Sequence, residues 1–202
     1  MADKKAVRLN CAMCNEKRCY NQGEMIREVD TSHLAEYDDP DIDKIFRAST
    51  ALESEGYMKL NRLQELIAFS QKMEFKHIGI AFCIGLAEEA KILAKILKQH
   101  FKVSSVCCKV CAEDKDERGL VKIHDDKKEV MCNPVGQAML LNDTKTDLNL
   151  ICGLCVGHDI LFTKYSEAPV STFIVKDRVL GHNPAASLYS RYYRKILLPD
   201  VQ

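Results

Sequence analysis

Apolar residues recur at two periods along this chain, and the change between them marks where helix gives way to strand. Ile42, Ile45, Phe46 and Leu52 follow helical spacing, with Ser49 in the same series, and predict a helix that ends near Gly56. Asp38-Asp39-Pro40-Asp41 reads as the turn leading into it, with proline near the first turn and acids at the positive end. A second helix is predicted from an Asn61 cap through Leu63, Leu66, Ile67 and Phe69 to about Met73.

The spacing then shortens. His77 to Cys83 is an apolar run of strand type, and Gly85 precedes a helical pattern over Leu86–Leu97. Lys102 to Val110 is the next strand, so a strand–helix–strand unit is predicted, with parallel strands. Residues 112–130 are charged and weakly patterned, as in an exposed insertion that holds at most a short strand. Asn133-Pro134 starts a helix through Gln137, Leu140 and Leu141. Leu148–Leu154 is a third strand and Val170–Val175 a fourth, with a helix beginning between them at His158-Asp159. Asn183-Pro184 is expected to cap a final helix containing Leu188, Tyr192 and Tyr193. The alternation predicts an α/β fold: an open, three-layer, mostly parallel sheet of Rossmann or flavodoxin type, preceded by a cysteine-containing arm and two helices. The arm occupies residues 1–40 and the α/β domain, with its two leading helices, residues 41–202.

Composition narrows the function classes. The 29 basic and 29 acidic residues cancel, so no long-range field draws in nucleic acid or an anionic membrane. No apolar run approaches the ~18–20 residues that cross a bilayer. The opening MADKKAVRLN has no signal-peptide core, so a cytoplasmic location is expected. In that setting ten cysteines point to reduced ligands or reactive thiols rather than a disulfide framework.

Those cysteines form two groups. Cys11-x-x-Cys14 is a metal knuckle with Cys19 close behind, and His33 or Asp30 could supply the fourth ligand that zinc and iron–sulfur centres usually take. The second group is gathered by the fold. Cys83 ends the first strand, Cys108 lies near the end of the second, Cys155 follows the third and Cys132 precedes the Asn133-Pro134 helix. The carboxyl ends of parallel strands border the ligand crevice, so all four are delivered to one edge of the sheet. Strand alternation turns Cys107 and Cys152 away as packing residues. Cys111 fits either role, because Cys108-x-x-Cys111 could form a second knuckle.

Gly153-Leu154-Cys155-Val156-Gly157-His158-Asp159 is the densest chemical stretch. Its glycines allow a sharp turn, and a helix N-terminus favours the thiolate of a cysteine placed there. Cys155 is thus a candidate nucleophile, with His158 as base and Asp159 as its orienter. The turn Cys83-Ile84-Gly85 is a weak phosphate cradle, having one glycine and two early glutamates, Glu88 and Glu89. His182 is a further residue that the same crevice could receive.

Four blocks together resemble one family: Ile78–Leu86, Cys132-Asn133-Pro134, Gly153–Asp159 and Lys176–Pro184. It is an uncharacterised family of cysteine-rich, metal-binding α/β proteins known mainly from anaerobic bacteria and archaea. The resemblance spans nearly the whole chain. It implies metal binding, with Cys83, Cys108, Cys132 and Cys155 matching the family's usual cysteines and Cys107, Cys111 and Cys152 as extras. The family's N-terminal segment usually carries a fourth cysteine; here Met25–Asp30 has none. No reaction is implied.

The leading expectation is therefore a binding protein for a metal ion or cluster, with thiolates that select zinc, copper(I) or an iron–sulfur cluster over hard cations. The family's anaerobic distribution leans to iron–sulfur and the knuckle to zinc. Its role would be redox chemistry or metal handling. The alternatives are a cysteine enzyme built on Cys155 and His158, and an adaptor whose zinc-stabilised arm docks a protein partner. No oxidoreductase cofactor fingerprint or hydrolase elbow is present in the sequence.

Overall fold

The computed structural model describes residues 10–24 and 31–198. The chain divides into two compact units, Met1–Ser49 and Thr50–Gln202. In the first, a 3-10 turn over Cys11–Met13 is followed by α1 (Arg18–Asn21) and a 3-10 segment over Ser32–Asp38. Helix α2 (Pro40–Gly56) starts where expected. Its cap is Asp39, whose Oδ1 accepts from the amides of Asp41 (2.9 Å) and Ile42 (3.2 Å).

The second unit holds the sheet. Helix α3 (Arg62–Lys72) opens on a complete capping box: Asn61 accepts from Leu63 and Gln64, and the Gln64 side chain accepts from the Asn61 amide. Next come β1 (His77–Phe82), a 3-10 turn, α4 (Ala87–Leu97) and β2 (Lys102–Cys107). Helix α5 (Pro134–Asp143), β3 (Leu148–Cys152), α6 (His158–Tyr165) and β4 (Val170–Ile174) complete the alternation. The four strands are all parallel, in the order β2-β1-β3-β4, which is an open α/β sheet.

Right-handed crossovers from β1 to β2 and then back past β1 to β3 place α4 on one face and α5 and α6 on the other. The core follows from that. Ile78, Ile80, Leu86, Leu93, Leu97, Leu141, Leu150 and Phe162 are fully buried between sheet and helices. The reversal of direction also creates a switch point at the carboxyl ends of β1 and β3, where open α/β sheets bind ligands. Among the described residues no helix is long and apolar enough to cross a membrane.

Three elements differ from the sequence expectation. Strand β2 stops at Cys107, not Val110, because the chain turns there: Val110 donates to the Cys107 carbonyl (3.2 Å), and Ala112 takes a positive φ of 53°. Strand β3 stops at Cys152, where Gly153 adopts φ 71°. The single final helix is two, α7 (Ala186–Tyr189) and α8 (Arg191–Leu197). Ser190 between them is extended, and its hydroxyl accepts from Tyr193 to start the second. The expected insertion has only an isolated antiparallel bridge, Asp114–Val130, and a 3-10 turn over Asp116–Arg118.

Candidate functional site

Backbone hydrogen bonds carry the ladder one step past the ends of the strands. The Cys83 amide donates to the Cys152 carbonyl (3.2 Å), Cys108 to Phe82 (2.9 Å) and Gly153 to Ile174 (2.8 Å). Cys83, Cys108 and Gly153 therefore stand level across the switch point, each fixed by the neighbouring strand. Cys132 arrives by a different route. The Asn133 amide donates to the Cys108 carbonyl (2.7 Å), and the Asn133 side chain caps α5 through the Gly136 amide (2.8 Å), pinning the start of that helix beside the end of β2. Behind them the fully buried Gln137 donates to the carbonyls of Val106 (2.7 Å) and Phe82 (3.2 Å), tying α5 to both strand ends.

The outcome is a chain of sulfurs with Cys108 at its centre. Cys132 Sγ lies 3.8 Å from Cys108 Sγ, the Ile84 amide points at Cys108 Sγ from 3.4 Å, and Cys83 is close enough for Cys108 to dominate its titration. Cys108 is almost wholly buried at 2% exposure. Its hydrogen bonds pull the thiols of Cys83 and Cys132 down to about 5 each, against the opposing effect of burial. The Gly85 amide and Lys176 assist at Cys83; Lys109 and His158 assist at Cys132. Cys108 itself is pushed far up by both neighbours and by burial. It has one S–H to give, so the three titrate as a unit in which the outer thiols ionise first.

Cys155 sits on the loop after β3, half-buried, and Arg178 Nη2 donates to its sulfur at 3.0 Å. That contact, with further attraction from Cys83 and Cys132, raises the guanidinium above its ordinary value. Arg178 thus lies within electrostatic reach of three of the four crevice cysteines. His158 begins α6, and its amide donates to the Cys155 carbonyl (2.9 Å). The Asp159 carboxylate accepts from the amides of Gly157 (2.9 Å) and Ile160 (2.8 Å), so it fixes the helix start. His182 turns its Nδ1 to the Asp177 amide (3.1 Å), within its own loop.

The remaining cysteines of the sheet unit lie away from this chain of sulfurs. Cys152 is fully buried, and burial raises it to about 11. Cys107 lines a separate cavity between β2 and α5, with Ser105, Leu140 and Thr144. Cys111 is exposed and within range of Arg118, on the insertion side. In the arm, the Cys14 amide closes the knuckle turn on the Cys11 carbonyl (3.1 Å), and Cys19 is exposed on α1. His33 lies in the 3-10 segment. Asp30, Met25–Val29 and the first nine residues lie outside the described residues. Among the described residues, which include all ten cysteines, there is no disulfide. Among those same residues no group of three or more His, Cys, Asp or Glu side chains is placed so that it could hold a metal ion.

Sequence reasoning missed the cations. Lys109 follows Cys108 and reaches the Val130 carbonyl and Cys132; Lys176 and Arg178 follow β4 and reach Cys83 and Cys155. The signal was available, since two basic residues immediately beyond a parallel strand stand at the rim of the crevice.

The donor set is soft and its geometry compact. Two thiolates bound tetrahedrally to one zinc, at about 2.3 Å each, stand about 3.8 Å apart, which is the separation found between Cys108 and Cys132. Cys108 and Cys132 therefore have the spacing of two ligands of a single thiophilic ion, and no third ligand is closed round them among the described residues.

Residues 21–173 match the family described as Protein of unknown function (DUF1847). The chain is 55% identical over 190 residues to the uncharacterized protein MJ0455 of Methanocaldococcus jannaschii, an alignment covering 94% of this chain and 98% of that one. No solved structure matches.

Proposed function

We propose that this chain, which belongs to the family described as Protein of unknown function (DUF1847), is a metal-binding protein that holds a thiophilic ion at the carboxyl ends of its sheet. Cys83, Cys108 and Cys132 are the ligands, and Cys155 is the fourth. The observation that carries this reading is the 3.8 Å between the sulfurs of Cys108 and Cys132, a spacing suited to one metal atom. In a four-iron cluster each thiolate takes its own iron and the sulfurs stand further apart. Zinc is accordingly the favoured ion and an iron–sulfur centre the alternative that analysis separates. The lowered pKa values of Cys83 and Cys132 support the reading, because thiolates rather than thiols bind metal, whereas Cys108 is held as a thiol and would have to release its proton to the solvent on binding. When bound, such an ion supplies a Lewis acid or a structural clamp. Thiols kept reduced for this purpose suit a cytoplasmic protein.

The test is metal and acid-labile sulfide analysis of protein purified without oxygen, with Ser variants of each crevice cysteine. The expected result is zinc that falls sharply in Cys83→Ser, Cys108→Ser and Cys132→Ser and stays in Cys111→Ser. Iron with sulfide would replace zinc as the occupant. Unchanged stoichiometry in all the crevice variants would end the metal reading.

A second reading is favoured by Arg178 donating to Cys155 Sγ, a charged partner suited to a nucleophilic thiolate. Selective alkylation of Cys155 near neutral pH in metal-free protein supports it; equal, slow labelling of all thiols counts against it.

A further inference from the structure

The loop after β4 is built to hold cations in place. The Asp177 carboxylate accepts from the amides of Val179 (2.9 Å) and Leu180 (2.8 Å), the His182 amide donates to the Asp177 carbonyl (2.9 Å), and His182 Nδ1 accepts from the Asp177 amide (3.1 Å). One carboxylate oxygen of Asp177 is thereby engaged with its own loop, and the basic residues on either side of it form no ion pair with it. Among the described residues neither Lys176 nor Arg178 is paired with an Asp or Glu. Lys176 lies over the bare backbone of Gly85, where an added Cβ would come within 3.1 Å of its ammonium and 4.0 Å of Cys83 Sγ. Arg178 uses Nη2 on Cys155, and no described group takes the rest of its donor fork.

The opposite wall is looser. Cys155 lies between Gly153 at φ 71° and Gly157 at φ 88°, and nothing stands within 4 Å of where a Gly157 Cβ would be. Val156 beside it is 86% exposed. Two cations carried on a hydrogen-bonded loop, with Arg178 exposed, therefore stand beside a half-buried thiol whose own loop is open. A guanidinium with an unused planar fork matches one ligand chemistry above others, the carboxylate, which it takes in two parallel hydrogen bonds.

We propose that Arg178, assisted by Lys176, is a subsite for the carboxylate of a small organic acid, which it presents to Cys155. The acid's carboxylate occupies the free edge of the guanidinium, and its adjacent carbon lies beside the sulfur. This assignment goes beyond the metal reading and is made for the metal-free chain: neither cation is a metal ligand, but Cys155 is the fourth ligand of that reading, and a bound ion would occupy its sulfur.

The experiment compares two alkylating probes on the full, reduced, chelator-treated chain, resolving each cysteine by peptide mass spectrometry. Iodoacetate carries the carboxylate; iodoacetamide is its neutral counterpart. The rate ratio of the two at one sulfur cancels that sulfur's own nucleophilicity. At Cys155 the ratio should exceed that at exposed Cys11 by about tenfold, as a charge-assisted contact predicts. The iodoacetate rate should also saturate with concentration. Arg178→Met should return the ratio to the Cys11 level, and Lys176→Met should lower it part of the way. Equal ratios at Cys155 and Cys11 in the native chain would overturn the subsite, and so would an elevated ratio that survives Arg178→Met. Metal content measured on each preparation before chelator is added tests the metal reading separately, so each can fail alone.

Discussion

Cys108 and Cys132, separated by 24 positions in the chain, hold their sulfurs 3.8 Å apart. The backbone bond from Asn133 to the Cys108 carbonyl is what brings them together. Mild oxidation of the metal-free protein with diamide should therefore join Cys108 first, to Cys132 or to Cys83, since Cys108 contacts both. Peptide mapping without reductant reads the link. A first disulfide lacking Cys108, such as one through exposed Cys111, would contradict the geometry, and bound zinc should slow the reaction.

The stability of the metal-free protein should depend on pH in two directions. Cys83 and Cys132 are lowered to about 5 from an ordinary 9.0, so the stability they contribute is complete above 9 and is lost as pH falls towards 5. Cys108 and Cys152 are raised, so their contribution is complete below 9 and is lost as pH climbs past it. Thermal unfolding with reductant and chelator present should give a midpoint that rises from pH 6 to 8 and falls above about 9. A midpoint that falls steadily over pH 6–8 would exclude the thiol network as its source.

Gly153 ends β3 with φ 71°, and a Cβ there would meet the Leu86 methyls at 2.5 and 3.0 Å. Leu86 is fully buried and has no room to withdraw. Gly153→Ala should cost roughly 1–3 kcal/mol in denaturant unfolding, from strain and overpacking together. Gly157→Ala has the same backbone problem at φ 88° but open space round the new methyl, so it should cost less, about 1 kcal/mol. Equal losses would mean that the Leu86 contact is unimportant.

Asn133 links the stability of α5 to the placement of Cys132. Asn133→Ala removes the cap on Gly136 and should cost about 0.5–2 kcal/mol, whereas Asn133→Asp keeps an acceptor and should lose little. If Cys132 depends on that helix start, zinc affinity measured by chelator competition should fall in the alanine variant and hold in the aspartate variant.

Much of this fold could be read from residue order. The change from helical to strand spacing at His77, the Asn61 and Asn133 caps and the apolar run at Leu148 are local signals, and local hydrogen bonds satisfy them. The ends were less legible. Strand β2 stops early because the turn at Cys107 comes from the way residues 108–112 fold back, and nothing in Lys109-Val110 itself forbids extension. The final helix breaks at Ser190, a residue compatible with either a helix interior or a cap. Cys83, Cys108 and Cys155 could be placed at the crevice because a parallel sheet delivers every strand end to one edge, and Cys132 because the Asn133-Pro134 helix start stands at that same edge. The roles within that edge could not. That Cys108 is central, that Arg178 takes Cys155, and that Asp159 serves the helix start rather than His158 all depend on side-chain directions across distant elements.

The insertion that separates Cys108 from Cys132 closes on itself at its base. Lys115 is ion-paired to Glu129 at 2.7 Å, the Lys115 amide donates to the Glu129 carbonyl (3.0 Å), and the Met131 amide donates to Glu113 (2.8 Å). These bonds fasten the stem just before Cys132; Leu120, Val121, Lys122, Ile123 and Lys128 are tied back to it as well, which leaves the turn over residues 124–127 outside the clasp. Whatever that outer segment contains, the stem returns the chain to the same place. The region is thus a natural graft point: a reporter peptide or an affinity handle can be spliced into it while the sulfurs keep their spacing.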